Sequence, residues 1–307
     1  MTIREIDERM TAIEEEKKDP QISEERLMEL EKEYAGLGAA CDSLTAHDKL
    51  FLARHRKRPK VDDYFNALFT DFFEQKGDFL SSEDPSILGG IAVFHGIPVT
   101  VIGHRKGHDI TESMKFRFGM PEPEGYRKAL RLMKQAEKFG RPIITFIDTP
   151  GAYPGLEAEE HGQSNAIARN LAEMSALKVP VFAIVTGEGS SGGALALGVA
   201  NRVYMLENAV YSVLSPEGFA SILWKDSGRA AEACDLMKLT AEDLYRFKVI
   251  DGIIPEPAGG AHRDPESVYK AIERTIMREF NQFKKMSPAE IARDRYEKFR
   301  NIDMAVR

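Results

Sequence analysis

Two short apolar runs, each followed by a glycine-rich segment, constrain the fold of this chain more than any other feature. The runs 142–148 and 180–186 lead into the segments 149–155 and 187–193. Both runs are rich in β-branched residues and bounded by Pro and Gly, which is typical of buried strands in a mostly parallel sheet. Small and apolar residues after Gly193 predict a short, closely packed helix. The free N–H groups at its N-terminus would face the glycine segment and could stabilise an anion or a developing oxyanion.

The second glycine segment allows three interpretations when it is read locally. Gly187–Gly192 fits the GxGxxG pattern of a dinucleotide-binding dehydrogenase that uses NAD, with Glu207 near the distance expected for a ribose-binding acid. Gly189–Gly193 fits the GxSxG nucleophile elbow of serine hydrolases, and the downstream order required for the other triad members is met by Asp226, Asp251 and His262. The glycines could also simply let a helix pack closely on a sheet. The local pattern leaves these three interpretations open.

Longer motifs resemble a known family from about Leu27 to about Pro265. The motifs are Phe146–Gly155, Gly162–Ser164, Ala168–Leu171, Gly187–Leu197 and Tyr211–Lys225. Together they are similar to the α subunit of the bacterial acetyl-CoA carboxylase carboxyltransferase. Two positions depart from the family pattern, with Ser190 where glycine is usual and His161 where arginine is usual.

The resemblance implies an α/β fold of the crotonase type (ClpP/crotonase-like), in which ββα units stack in a superhelix and active sites are shared between subunits. We expect an N-terminal helical hairpin at residues 1–50, a carboxyltransferase core at 51–260 and a C-terminal helical extension at 261–307. A non-catalytic scaffold of the same fold is the binding-module alternative.

The resemblance also implies a reaction and its partners. The family transfers the carboxyl group of carboxybiotin to acetyl-CoA and forms malonyl-CoA, the first committed step of fatty acid synthesis. The implied partners are a β subunit, in an assembly of two α with two β, the biotin carboxyl carrier protein and biotin carboxylase. Biotin would be attached to the carrier protein, and zinc would be held only by the β subunit.

The residues of the implied biotin site follow from the motifs. The oxyanion hole is expected at the N–H groups of Gly193 and Ala194, with Gly192 letting the ligand approach without a Cβ. The opposite wall is expected to be Gly151, Ala152, Tyr153, Pro154 and Gly155, and the pocket to be completed by Gly189, Ser190 and Ser191. No side-chain base is required, because the freed biotin nitrogen can take the methyl proton. The two serines are therefore not expected to be nucleophiles.

A basic run at residues 54–60 carries five fixed positive charges. Solvated surface is the ordinary explanation for such a run. The functional hypothesis is that Arg56, Lys57 and Arg58 hold the phosphates of CoA at the subunit interface. Nucleic-acid binding ranks third, because the net charge of −7 gives no general reason to expect it.

Composition restricts the remaining choices. The first residues carry acids where a signal peptide would be apolar, and no apolar run approaches the length of a membrane span. Cys41 and Cys234 form no CxxC pair, so we expect no zinc on this chain and a reducing cytoplasm. His104 and His108, followed by Asp109, could suggest a metal site, but the sequence does not place a third ligand beside the two histidines. We therefore expect no metal on this chain.

Periodicity predicts the flanking elements. Apolar residues at helical spacing before and after Pro20 predict an antiparallel helical pair whose apolar stripes pack on each other. A β-hairpin with a His95–Gly96 turn is expected at residues 90–102. A helix carrying six aromatic and leucine residues is expected to extend to Phe73, and the segment beyond Lys285 to be helical but loosely attached.

Overall fold

A computed structural model of the protein describes residues 1–302. A mixed eight-stranded sheet is surrounded by helices. The strands are β1 (Thr70–Glu74), β2 (Ile87–Phe94), β3 (Ile97–His104), β4 (Ile143–Thr149), β5 (Val181–Ser190), β6 (Arg202–Leu206), β7 (Val210–Ser212) and β8 (Gly252–Ile254). The helices are α1 (Ile3–Glu16), α2 (Glu24–Ala40), α3 (Ala46–Ala53), α4 (Val61–Leu68), α5 (Ile110–Lys115), α6 (Pro123–Lys138), α7 (Leu156–Glu160), α8 (Gln163–Ala176), α9 (Ser191–Gly198), α10 (Pro216–Trp224), α11 (Ala230–Met237), α12 (Ala241–Arg246), α13 (Pro265–Phe283) and α14 (Pro288–Asn301). Short 3-10 turns lie at Cys41–Ser43, Arg117–Gly119 and Ser227–Arg229.

The sheet has the order β1-β2-β3-β4-β5-β6-β8, and β7 pairs with β5. The pairs from β3 to β8 are parallel, whereas β1, β2 and β3 pair in antiparallel fashion. Every residue of β4 and β5 is buried, which confirms the prediction of two buried parallel strands. The predicted β2–β3 hairpin is also confirmed, because His95 (φ 47°) and Gly96 (φ 77°) form its two-residue turn with positive φ at both positions.

The C-terminal helices belong to the main core. Ile276, Phe280 and Phe283 of α13 and Ile291 of α14 are buried in the same apolar cluster as β4 and β5. Arg295 of α14 has no exposed surface and donates hydrogen bonds to carbonyl groups at the end of α8 and after it, those of Met174, Leu177 and Val179. The prediction of a loosely attached segment beyond Lys285 is therefore wrong. Most of the charged residues of α14 lie on its solvent-facing side. Arg295 instead points inward and satisfies the free carbonyl groups at the C-terminus of α8.

The N-terminal hairpin has its own small core. Ile6, Met10 and Ile13 of α1 pack with Leu30 and Leu37 of α2, as the helical spacing predicted. The aromatic helix was predicted too long, since α4 ends at Leu68 and the chain turns extended at the next residue. The following segment pairs as β1 with the edge of β2, so strand pairing overrides the local helical pattern.

Among residues 1–302, no helix combines the length and the apolar character needed to cross a membrane.

Candidate active site

The two glycine segments meet at one edge of the sheet. Strands β4 and β5 are parallel neighbours, with Ile147 opposite Val185 and Thr149 opposite Gly189. Their carboxyl ends therefore lie side by side, and both glycine segments leave the sheet at the same place. This is the edge at which α/β folds usually bind ligands.

The second glycine segment is mostly strand, not loop. β5 continues through Ser190, which pairs with Ser212 of β7, and α9 begins at the next residue. Gly187 and Gly189 permit close packing, because a Cβ at 187 would overlap the Asp148 carboxylate and one at 189 would lie 3.1 Å from the Tyr211 ring. A phosphate-cradling loop is thus absent from this part of the described chain, and the dinucleotide interpretation loses its structural basis.

The early start of α9 changes which amides are free. Helical N–H groups lack partners in the first turn, and here that turn consists of Ser191, Gly192 and Gly193. The amide of Ala194 occupies the position that normally bonds the carbonyl of the N-cap residue, Ser190. Ala194 is also fully buried. Of the predicted pair, Gly193 therefore lies in the first turn of α9, whereas Ala194 lies beyond it, and Ser190 provides no side-chain cap that would compete for the first-turn amides.

Gly193 is pressed against the first glycine segment. A Cβ built on Gly193 would lie 2.7 Å from both the Ala152 nitrogen and the Gly151 carbonyl carbon, and 2.9 Å from the Tyr126 hydroxyl. Gly192 has another role than the predicted one, because its Cβ direction meets Ile167 of α8 at 3.3 Å. Glycine at 192 serves helix packing, and glycine at 193 serves the contact between the two segments.

The first glycine segment is held by hydrogen bonds. Thr149 Oγ1 accepts from the Gly151 amide at 3.0 Å and donates to the Gly151 carbonyl at 2.7 Å. Gln163 Nε2 donates to the Tyr153 carbonyl at 3.0 Å. The Arg117 guanidinium carbon lies 5.7 Å from the centroid of the half-buried Tyr153 ring. Gly155 lies so close to this ring that a Cβ would overlap it, and the neighbouring Pro154 is exposed.

Two ion pairs, which the sequence did not reveal, fix the strand ends beneath the segments. Asp148 accepts from Lys106 Nζ at 2.7 Å and from the Glu188 amide at 3.0 Å. Burial raises the pKa of Asp148, but the nearby ammonium groups of Lys106 and Lys60 lower it by more. The pKa of Asp148 therefore lies below its usual value. Glu188 is paired with Arg54 at 2.7 Å. The sequence contained one signal for these ion pairs, an acidic residue inside each motif. The two residues are Asp148 and Glu188.

An apolar groove opens beside the N-terminus of α9. It has a volume of about 480 Å³ and reaches Ser191 and Gly192. Its apolar lining includes Leu195, Tyr211, Val213, Met237 and Phe299. Val213 is 74% exposed and Leu195 39% exposed, so apolar surface lies directly next to the free amides.

The serine hydrolase interpretation is not supported. Ser191 does stand at a strand-to-helix turn with φ 60°. However, Asp226 accepts from the Gly228 amide, Asp251 accepts from the Val203 amide, and His262 contacts Asp7 of α1. The three proposed triad partners are engaged at separate places, and two of them hold backbone amides.

The basic run divides into three kinds of residue. Arg58 is 1% exposed, pairs with the fully buried Glu256 at 2.9 Å and donates from Nε to the Thr186 carbonyl at 2.6 Å. Arg58 is therefore unavailable to a ligand, and its proposed role in binding CoA phosphates is wrong. Lys57 is exposed and lies near Glu15 of α1, whose pKa is lowered mainly by its hydrogen bond with Lys18 and to a lesser extent by the Lys57 charge. Arg56 lines a cavity that is described below.

A cluster of Asp7, His55 and His262 attaches the N-terminal hairpin to the core. The two imidazole rings stack with centroids 3.8 Å apart, and each Nε2 faces one Asp7 oxygen, at 3.2 Å for His55 and 3.0 Å for His262. These atoms could hold a metal by distance alone. Arg263 donates to the same carboxylate, which favours a hydrogen-bonded clamp instead. His108, considered as a ligand above, contacts Asp63.

This clamp predicts that acid weakens the attachment of the hairpin. Burial lowers the pKa of His262 to about 4 and also lowers the pKa of His55. The unfolded chain takes up these protons near pH 6.5, whereas the folded chain resists them, so stability is full above about pH 6.5 and is lost as the pH falls toward 4. We expect His262 to account for up to about 3 kcal/mol of this loss.

Urea unfolding between pH 7 and pH 4 measures the effect. The His262→Gln variant should lose less stability on acidification than the wild type. The matched control is His47→Gln, at an exposed histidine, which should keep the full loss. Equal losses in all three proteins would contradict the assignment.

The fold and this site define the class of protein. The chain superposes on a subunit of a Pseudomonas malonate decarboxylase hetero-tetramer with a TM-score of 0.59 and 15% identity, over 72% of this chain and 86% of that one. It also superposes on transcarboxylase 12S with a TM-score of 0.57 and 19% identity, over 73% of this chain and 43% of that one. These likenesses show the fold, which is that of the crotonase-like carboxyltransferases.

Sequence comparison identifies the family. Residues 1–303 match the family described as acetyl co-enzyme A carboxylase carboxyltransferase-like. The acetyl-coenzyme A carboxylase carboxyl transferase subunit alpha of Listeria welshimeri is 57% identical over 274 residues, covering 89% of this chain and 86% of the relative. The subunit of the same name from Geobacillus kaustophilus is 56% identical over 280 residues, 91% of this chain and 84% of the relative. The chain belongs to this family, as its motifs indicated, and is a carboxyltransferase of the α-subunit type.

Proposed function

We propose that this chain, as an α subunit, transfers the carboxyl group of carboxybiotin to acetyl-CoA and so produces malonyl-CoA. The names of its relatives support the substrate and the subunit type. The observation that carries the proposal is the meeting of the two glycine segments at the head of α9, where Gly192 and Gly193 lack helical partners.

The geometry suits an oxygen that becomes negatively charged. A bound biotin would supply a ureido oxygen that takes up negative charge, and two backbone N–H groups at a helix N-terminus would stabilise such charge. We assign this role to the amides of Gly192 and Gly193. Removing one donor of this kind typically costs about 3 kcal/mol in the barrier. Because these donors belong to the backbone, no ionisable side chain is required at the centre.

The surroundings of these amides fit a bicyclic, mostly apolar ring. The segment Gly151–Gly155 would form one wall, with Tyr153 contributing a flat ring face. The groove at Leu195, Tyr211 and Val213 offers the ring an apolar approach to these amides. Ser190 is buried, and Ser191 contributes its backbone turn, so neither serine is assigned a covalent role.

The reaction requires other subunits. The carboxyl group would arrive on a biotin carrier protein that a biotin carboxylase has charged. A β subunit would bind the acyl-CoA and supply the second set of donors, for the thioester oxygen, in an assembly of two α with two β. Zinc would be held by that β subunit. The exposed apolar residues Val213, which lines the groove, and Leu223 of α10, 74% and 55% exposed, support a protein partner.

Reconstitution tests the proposal. The chain mixed with a family β subunit, acetyl-CoA and a biotin carrier that carries an isotope-labelled carboxyl group should form labelled malonyl-CoA, detected by mass spectrometry. Either subunit alone should form none. A chain that binds the β subunit but supports no transfer would be a scaffold, and the proposed function would fail.

A further inference from the structure

A basic cavity lies beside the ion pair that supports the first glycine segment. It has a volume of about 700 Å³. Its lining includes the cationic residues Arg54, Arg56, Lys60 and Lys106 and the apolar residues Ile110 and Phe118. Lys106 is the residue that donates to Asp148, immediately before Thr149. The cavity is therefore connected to the candidate active site through the Lys106–Asp148 ion pair, and it shares no lining residue with the groove at α9.

Two of the four cations in this basic cavity have carboxylate partners. Arg54 pairs with Glu188 at 2.7 Å and with Glu217 at 2.6 Å. Lys106 pairs with Asp148 at 2.7 Å. Asp109, a carboxylate in the lining, already accepts the Glu112 amide as the cap of α5. These charges are balanced within the protein.

The other two cations are not balanced. Within residues 1–302, neither Arg56 nor Lys60 has a carboxylate within 4.0 Å. Lys60 and Lys106 both act on the single carboxylate of Asp148, and that carboxylate is bonded to Lys106. The basic cavity therefore keeps an excess of positive charge where Lys60 and Arg56 face it.

Lys60 is the unusual member of this set. It is 8% exposed, and no hydrogen bond from its ammonium group is found within residues 1–302. Burial is the main cause that lowers its pKa. A largely buried ammonium group without a hydrogen-bond partner lowers the stability of the folded protein unless an anion compensates it.

The backbone holds Lys60 in place. It precedes α4 as the N-cap residue, where its amide donates to Asp63 at 2.7 Å. It also follows Pro59 and the buried Arg58, whose ion pair with Glu256 anchors the chain on that side. On the other side, Gly107 has φ 84°, and a Cβ there would lie 2.7 Å from Glu112 and Ser113. Close packing on both sides of the basic cavity thus holds its backbone in place, and an anion would bind with little reorganisation.

We infer that the basic cavity is a binding site for a phosphate dianion, with Lys60 and Arg56 as its direct ligands. A dianion would neutralise the excess charge, and the exposed Phe118 and Ile110 could contact an organic group attached to it. Two sources share this chemistry: a phosphate group of CoA, or free phosphate. Binding itself does not depend on the proposed transfer reaction, whereas the CoA source rests on it.

Calorimetry with inorganic phosphate tests the site on the full-length chain. We expect phosphate to bind, and the Lys60→Met variant to bind it at least about tenfold more weakly, because one charge-assisted hydrogen bond is lost. Arg56→Gln should show a loss of similar size. The matched control is Lys57→Met, which removes the same charge from an exposed neighbour and should leave binding unchanged.

The stability of these variants provides a second readout. Without phosphate, Lys60→Met should melt at a higher temperature than the wild type, because an uncompensated buried charge is removed. Phosphate should raise the melting temperature of the wild type and of Lys57→Met, but not that of Lys60→Met. No phosphate binding, or equal losses in Lys60→Met and Lys57→Met, would overturn the site.

The source is decided by comparing CoA with dephospho-CoA on the α–β complex. A preference for CoA that disappears in Lys60→Met identifies the 3′-phosphate of CoA as the ligand. Equal binding of the two, with phosphate binding intact, identifies free phosphate. Since no turnover is measured, failure of this test is distinguishable from failure of the proposed carboxyl transfer.

Discussion

Replacing Gly193 by alanine should lower kcat for carboxyl transfer by about 10²–10³-fold. The added Cβ would lie 2.7 Å from backbone atoms of Gly151 and Ala152 and 2.9 Å from the Tyr126 hydroxyl. Backbone cannot give way as a side-chain end can, so the two glycine segments must separate. The amide donors then no longer point to one position, and steady-state assay of the reconstituted α–β complex measures the loss.

Two further glycine variants calibrate this result. Gly192→Ala should lose less activity, because its Cβ meets only the end of the Ile167 side chain at 3.3 Å. Gly36→Ala, in the exposed face of α2 with no atom within 4 Å, should keep full activity and gain about 0.5–1 kcal/mol in stability. Full activity in a folded, assembled Gly193→Ala protein would contradict the assigned site. It would also contradict the proposal that the amides of Gly192 and Gly193 are the donors.

Replacing Arg58 by methionine should destabilise the protein by about 3–5 kcal/mol. Arg58 and Glu256 both have side chains with no exposed surface, and the substitution would leave the Glu256 carboxylate buried without its cation. Arg58 also holds the Thr186 carbonyl of β5, four residues before Ser190. Urea unfolding of the purified chain, followed by circular dichroism, measures the loss.

The neighbouring lysine is the matched control for this variant. Lys57→Met removes the same charge one residue earlier and should change the free energy of unfolding by no more than about 0.5 kcal/mol. The double variant Arg58→Met, Glu256→Met should lose less than the sum of the two single variants, since neither charge is then left alone. Similar losses in the free energy of unfolding for Lys57→Met and Arg58→Met would contradict this assignment. They would show that residues 54–60 affect stability through their total charge.

The basic run shows why the sequence could predict a charge pattern but not its use. Adjacent residues of one segment point in different directions, so Arg56, Lys57 and Arg58 have a cavity, solvent and a buried carboxylate as their surroundings. The partner of Arg58 is almost two hundred positions away in the chain. No local property of residues 54–60 contains that information.

The strand and helix boundaries at the site show the same division. The apolar run 180–186 predicted β5 correctly up to Thr186, but pairing with β7 extends the strand through the glycines to Ser190. Local propensity alone treats Gly187–Gly192 as a loop, because glycine disfavours strands. Contacts with Asp148 and Tyr211 make glycine necessary there.

The sequence by itself determined the family, the buried parallel strands, the β2–β3 turn and the two glycine segments, because each depends on short-range pattern or on long matching motifs. Only the tertiary structure decided where α9 begins, and therefore which amides are free. It also decided that Arg58 is internal, that Arg295 fixes the C-terminal helix, and that Lys60 lines a cavity without an ion-pair partner among residues 1–302. These outcomes depend on contacts between residues far apart in the chain, whose burial and pairing free energies exceed the local preferences that a sequence displays.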